Sequence, residues 1–267
     1  MFSIVGRAIQ LWIGNLPLLG TLVLTIWLPG HLLVGWSYYS GWEESSEWDV
    51  FRMTALIEAI CSPIYAGAIV FALPRLIEGK PVPYGEALGV GFQFWGRLFA
   101  ARFVAGLLIL VGLVAFLIPG LVLSVRYALI DATVVLENQG VTSSRERSWS
   151  LTDGRGWQIF GAITIVYLLY LTLATAVYTP LVIAEEFWAL DLVVYFAVEV
   201  VLDCLLDIVY TVNVIVMFLF YWEASGRSEE NAIDEPTADT GGDEVGQSAP
   251  SAPAQADDLN PYRPPSA

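Results

Sequence analysis

The sequence predicts an all-α fold, a polytopic transmembrane helix bundle, on three observations. Of 267 residues, 56% are hydrophobic and only 15% charged, against about 25% charged in soluble domains. Mean hydropathy is +0.63. Apolar runs of about 18 residues or more, enough to cross a bilayer as a helix, recur along the chain.

Six spans are expected, at about 17–39, 54–76, 98–118, 120–137, 158–183 and 189–222. The third and fourth are parted only by Ile118, Pro119 and Gly120. Proline cannot extend a helix and glycine permits a sharp turn, so a tight hairpin is expected there. The first run lacks a small-residue cleavage site behind it, so no cleaved signal peptide is expected.

Charge orients the bundle. Arg7, Arg75, Lys80, Arg97, Arg145, Arg147, Arg155 and Arg227 fall in the termini and the even-numbered loops, whereas the opposite side holds only Arg52. The first odd loop, GWEESSEWDV, is acidic, and Glu185, Glu186 and Asp191 lie between the fifth and sixth spans. By the positive-inside rule this is a multi-pass protein of the cytoplasmic (inner) membrane with both termini cytoplasmic. Trp36, Trp42, Trp48, Trp188 and Trp222 fall where an aromatic belt would lie.

Two segments differ in character. Residues 1–224 form the membrane domain. Residues 225–267 are rich in Pro, Ala, Asp and Glu with few large apolar side chains, and are expected to be a disordered cytoplasmic tail. The net charge of −15 is divided almost evenly about Trp222: 17 acidic against 10 basic residues up to it, and 10 against 2 beyond it. The NPYRPP stretch near the end could dock a protein partner. The bilayer itself is the other expected partner, and the absence of a basic patch argues against nucleic acid.

A weak internal repeat is visible. GRAIQLWIGN from Gly6, GEALGVGFQFWGRL from Gly85 and SRERSWSLTDGRGW from Ser144 each read as a short amphipathic interfacial elbow leading into a span and its return. Three parallel units of elbow plus helical hairpin would account for the six spans.

The stretch from Ile118 to Gly161 carries Pro119-Gly120, Val125-Arg126-Tyr127, Glu137 after Val-Val-Leu, Arg147-Ser148-Trp149, Leu151-Thr152 and Gly154. This combination resembles a bacterial six-span family that includes the membrane domain attached to some glycerophosphoryl diester phosphodiesterases. The resemblance implies a membrane architecture. It does not imply hydrolase activity, because that catalytic barrel needs paired histidines and about 250 further residues, and this chain has one histidine. Asp153 departs from the basic or neutral residue more usual in the family.

The sixth run contains EVVLDCLLDIVY, with Glu199, Asp203 and Asp207 at four-residue spacing. Each step turns the helix by only about 40° beyond a full turn, so all three share one face over about 12 Å. The stripe extends from Asp191 through Tyr195 to Thr211. One reading is an amphipathic extension of the last helix outside the bilayer, which leaves Asp207 unexplained. The other is a polar interior in which Arg126 pairs with Asp203 or Glu199, and Arg102 and Asp131 pair with each other or involve Asp207. Glu137 is expected to hold an arginine of the following elbow, Arg145 or Arg147. Ser148, Thr152 and Gly154 are expected to help that helix end and turn, with Trp149 at its interface.

No serine–histidine, histidine–metal or phosphate-loop pattern occurs, so no enzyme, cofactor or metal site is expected. Cys61 and Cys204 read as free buried thiols. The expected role is a non-catalytic integral membrane protein acting as a scaffold, lipid-interacting or envelope-associated factor. The alternative is a small transporter or channel using the acidic stripe for cation or proton binding.

Overall fold

The structure, a computed structural model, describes residues 2–39, 47–188 and 191–234. These residues fold into helices α1 (Phe2–Gly14), α2 (Leu16–Tyr39), α3 (Glu47–Ile77), α4 (Tyr84–Ala115), α5 (Leu117–Arg126), α6 (Ile130–Leu136), α7 (Val141–Leu151), α8 (Gly156–Trp188) and α9 (Leu192–Asp234). Six helical segments are long and apolar enough to cross a membrane: Leu16–Trp36, Phe51–Ile77, Tyr84–Ala115, Leu117–Leu136, Gly156–Phe187 and Val193–Gly226. Much of the acidic first loop, including Trp42, lies outside the described residues, as do the Trp188 side chain and residues 235–267 with the NPYRPP stretch.

The six spans alternate in direction, which defines two ends. The α3–α4 and α6–α7 connections share one end, here the elbow end, because Arg97 in the first half of α4 donates to the Asn138 side chain at 2.6 Å. The buried core lies toward this end. Leu19 and Leu22 of α2, Ile69, Phe71 and Leu73 of α3, Leu98 of α4, Ile159 of α8 and Phe218, Phe220 and Tyr221 of α9 are all essentially inaccessible. Toward the opposite end, large apolar side chains lie on the outside: Val111, Val114, Phe116, Leu117 and Ile118 of the α4–α5 hairpin, Leu168 and Leu169 of α8, Val193 and Val201 of α9. In water such a belt would be unfavourable. In hydrocarbon it costs nothing, and it completes the case for a bilayer-embedded bundle.

α1 is amphipathic. Ile4, Val5 and Ala8 form a buried stripe, and the Trp12 indole donates to the Ile208 carbonyl of α9 at 2.9 Å. α7 is likewise a separate helix beside α6. The second expected elbow is not separate: residues 84–115 form one continuous helix, α4. Nothing between Tyr84 and the span breaks it, since Gly85, Gly89, Gly91 and Gly96 are tolerated inside a helix and no proline intervenes. Gly91 has a packing reason. A Cβ there would strike the Ile64 carbonyl of α3, so glycine is what lets α3 and α4 lie backbone to backbone.

The α4–α5 hairpin also differs from expectation. The reversal occurs at Phe116, whose backbone is extended (φ −159°, ψ 141°). Pro119 lies in the first turn of α5, where its missing N–H would have had no intrahelical acceptor. Gly120 is not the turn residue but a contact residue. A Cβ there would lie 2.7 Å from the Leu113 nitrogen, and one on Gly112 would lie 3.1 Å from the Gly120 Cα. The two glycines press the arms of the hairpin together.

The fourth span is broken. α5 stops at Arg126 and α6 begins at Ile130. The sixth is one uninterrupted helix, about 64 Å long at 1.5 Å per residue, against a hydrocarbon core of about 30 Å. It runs on through Ser225 to Asp234, into the segment expected to be tail, since no proline occurs before Pro236. Asp191 is not part of a polar stripe. Its side chain accepts the Val193 N–H at 2.9 Å and caps the start of α9.

Candidate functional site

Three polar constellations lie within this apolar frame. The first is the junction of α5, α6 and α7. A helix break leaves backbone groups without intrahelical partners, and in a bilayer these need replacements. Ser148 supplies them. Its fully buried hydroxyl donates to the Arg126 carbonyl at 2.7 Å and accepts the Leu129 N–H at 3.2 Å. Arg126 itself pairs with Asp153 at 3.0 Å, donates to the Trp149 carbonyl at 3.3 Å and lies 5.0 Å over the Trp149 ring. The expected pairing of Arg126 with Asp203 or Glu199 is therefore not formed. The reason is the break, which turns Arg126 toward α7 instead of α9. Asp153, the departure from the family pattern, is the partner that Arg126 uses.

At the far end of α6, Glu137 accepts from Arg147 Nε at 3.0 and 3.1 Å and from the Tyr221 hydroxyl at 3.2 Å, tying α7 to α9. Arg145 does not reach Glu137; it bonds the Val141 carbonyl of its own helix at 3.2 Å. Thr152 bonds back to the Trp149 carbonyl, and Gly154, at φ +68°, makes the left-handed turn into α8.

The second constellation answers part of the acidic stripe. Nε2 of His31 on α2 lies 2.6 Å from Oδ2 of Asp207, and Nδ1 lies 3.6 Å from Oδ2 of Asp203. The other oxygen of Asp203 accepts the Tyr178 hydroxyl of α8. Trp27 stacks on the imidazole at 5.5 Å. Glu199, one turn earlier, has no hydrogen-bond or ion-pair partner among the described residues. Among the described residues the partner of this stripe is thus the lone histidine and no arginine. The only sequence signal for it was an ionisable side chain inside the first apolar run. An imidazolium can donate from both nitrogens and a neutral ring from one, so the proton count on His31 sets how many carboxylates it holds.

The third constellation is a cavity of about 370 Å³ within the bundle, bounded by α3, α4, α5, α6, α8 and α9. Arg102 of α4 grips Asp131 of α6 through two parallel bonds, 2.8 and 2.5 Å, and donates to Ser62 of α3 at 2.6 Å. Asp207 takes no part in this pair. Tyr65, Tyr210, Asn213 and Glu58 are further polar residues of the lining, and Ala105, Ile109, Ile163 and Met217 stand among the apolar walls. Glu58, Gly106 and Tyr210 at the rim are exposed, so the cavity opens between α3–α4 and α9 at a depth within the spans. Glu58 and Ser62, four residues apart on one face of α3, and Asn213 of α9 were missed as site residues because Arg102 and Asp131, which share their cavity, lie on other helices. Only the packing of four helices gathers them.

Together the fold and these constellations define a polytopic helical membrane protein with a polar cavity among its spans. Among curated proteins, the chain is 29% identical over 98 residues to a protein named as a UPF0259 membrane protein of Photorhabdus laumondii subsp. laumondii. The match covers 37% of this chain and spans only 38% of that relative's length. No family profile matches the chain. No solved structure matches it either. The likeness found is therefore to a membrane protein. The comparisons do not support the expected resemblance to the phosphodiesterase membrane domain.

Proposed function

We propose that this chain is a non-catalytic integral membrane protein that accepts a membrane lipid into the cavity above the Arg102–Asp131 pair, in a scaffolding or envelope-associated role. The observation that carries this reading is the cavity itself. Its volume, about 370 Å³, falls within the range of about 300–1,000 Å³ usual for ligand sites. It has a polar floor, apolar walls and a rim at bilayer depth, which is the polarity pattern of a lipid's head and chains. The positive-inside count supports cytoplasmic termini in an inner membrane.

The test is native mass spectrometry of the full chain released from mild detergent. Bound lipid is expected on the wild type and much less on Gly106→Phe, which places a ring at the rim where a side chain meets open space. A wild-type protein that carries no lipid, or a Gly106→Phe variant that carries as much, would overturn the reading.

One observation favours the alternative, a small proton- or cation-linked transporter: His31 stands between two carboxylates within the spans. Reconstituted vesicles would decide it. A saturable flux abolished by Asp207→Asn would move transport ahead of the lipid reading.

A further inference from the structure

Resting on that lipid reading, we infer that the cavity selects one headgroup chemistry: a primary ammonium joined to a phosphodiester, as in phosphatidylethanolamine.

The argument is one of charge and of hydrogen bonds. Three acidic or basic side chains line the cavity: Glu58, Arg102 and Asp131. Arg102 and Asp131 neutralise one another through their paired contacts. Glu58 has no hydrogen-bond or ion-pair partner among the described residues. The site therefore carries one uncompensated negative charge in a water-poor setting, where a ligand cation is worth far more than in water. A purely anionic headgroup would add to that charge. The ligand should instead bring a cation to Glu58.

A cation alone would leave the floor unused. A guanidinium has five N–H donors, of which Asp131 and Ser62 take three. Two N–H groups of Arg102 remain, with the Asn213 amide close by in the same lining. These suit phosphate oxygens, which Arg recognises through its planar fork. Glu58 is a hydrogen-bond acceptor, so it favours an ammonium that carries N–H over a quaternary one that carries none. The apolar walls then receive the upper acyl chain.

The experiment offers the full-length chain an equimolar mixture of phosphatidylethanolamine, its N,N-dimethyl form, phosphatidylcholine and phosphatidylglycerol with identical acyl chains, read by native mass spectrometry. The expected result is an about tenfold preference for phosphatidylethanolamine over phosphatidylcholine, the scale of one charge-assisted hydrogen bond, with the dimethyl form between them. Glu58→Gln should bring the preference close to parity. Glu58 is exposed and makes no contact that the fold depends on, and the wild-type ratio alone decides should the variant fail to fold. Equal binding of all four, a preference for phosphatidylglycerol, or a preference unchanged by Glu58→Gln would overturn the headgroup inference and leave the lipid reading standing. Retention of none of the four would overturn both.

Discussion

Nε2 of His31 lies 2.6 Å from Oδ2 of Asp207, and this contact joins α2 to α9 across 176 positions of sequence. It places an imidazole against a helix face that carries Asp203 and Asp207 one turn apart. Within a bilayer such carboxylates are tolerated only with partners or water, and His31 and Tyr178 are those partners.

His31→Ala should therefore destabilise the bundle, because it leaves two like charges on adjacent turns. The expected cost is about 1–3 kcal/mol, the penalty for orphaning a hydrogen-bonded polar group. The double variant His31→Ala/Asp207→Asn should recover part of that loss. Thermal unfolding in detergent measures both, and a double variant no more stable than the single would show that Asp207 does not depend on His31.

Ser148→Ala removes the hydroxyl that serves both sides of the α5–α6 break. We expect a loss of about 1–3 kcal/mol, since the Leu129 N–H and the Arg126 carbonyl would both lose a partner. Hydrogen exchange gives the specific readout: the Leu129 amide should exchange faster, while amides of α8 should not.

Two glycine substitutions in the same hairpin should behave oppositely. Gly120→Ala drives a methyl into Leu113 and should cost about 1–3 kcal/mol, as overpacking does. Gly96→Ala on α4 meets nothing within 4 Å and should be neutral or stabilising by up to about 1 kcal/mol through helix propensity. Melting temperatures of the two variants compare them directly.

The Arg102–Asp131 pair should be coupled. Arg102→Gln leaves Asp131 charged and alone, at a cost of about 3 kcal/mol. The double variant Arg102→Gln/Asp131→Asn should be more stable than either single one, because no charge is left uncompensated. Additive losses in this double-mutant cycle would contradict the pairing.

The spans were legible because hydropathy summed over about 20 residues is a strong and local signal. So was the partnership of Glu137 with the α7 arginines, where ten residues separate the two ends and few geometries are available. The partner of Arg126 was not legible. Assuming one straight fourth helix placed Arg126 opposite α9, whereas the break at Tyr127–Leu129 turns it onto α7. Nothing in the string Val-Arg-Tyr-Ala-Leu marks a break, since none of these residues stops a helix by itself. The break exists because Ser148, more than a turn of sequence away, satisfies it.

The amino-acid sequence alone determined the class of this protein: the number of spans, the alternation of direction, the helical hairpin near Pro119 and the presence of charge among apolar residues. These follow from composition and period, properties of a chain read along its length. Tertiary structure alone decided which charges meet. His31 with Asp207, Arg102 with Asp131 and Ser62, and Glu58 at the rim of a cavity come from different helices. Their proximity depends on helix rotation and crossing, set by close contacts such as Gly91 of α4 against α3 and Gly120 of α5 against α4. Such placement is a property of several helices at once, and no single stretch of sequence carries it.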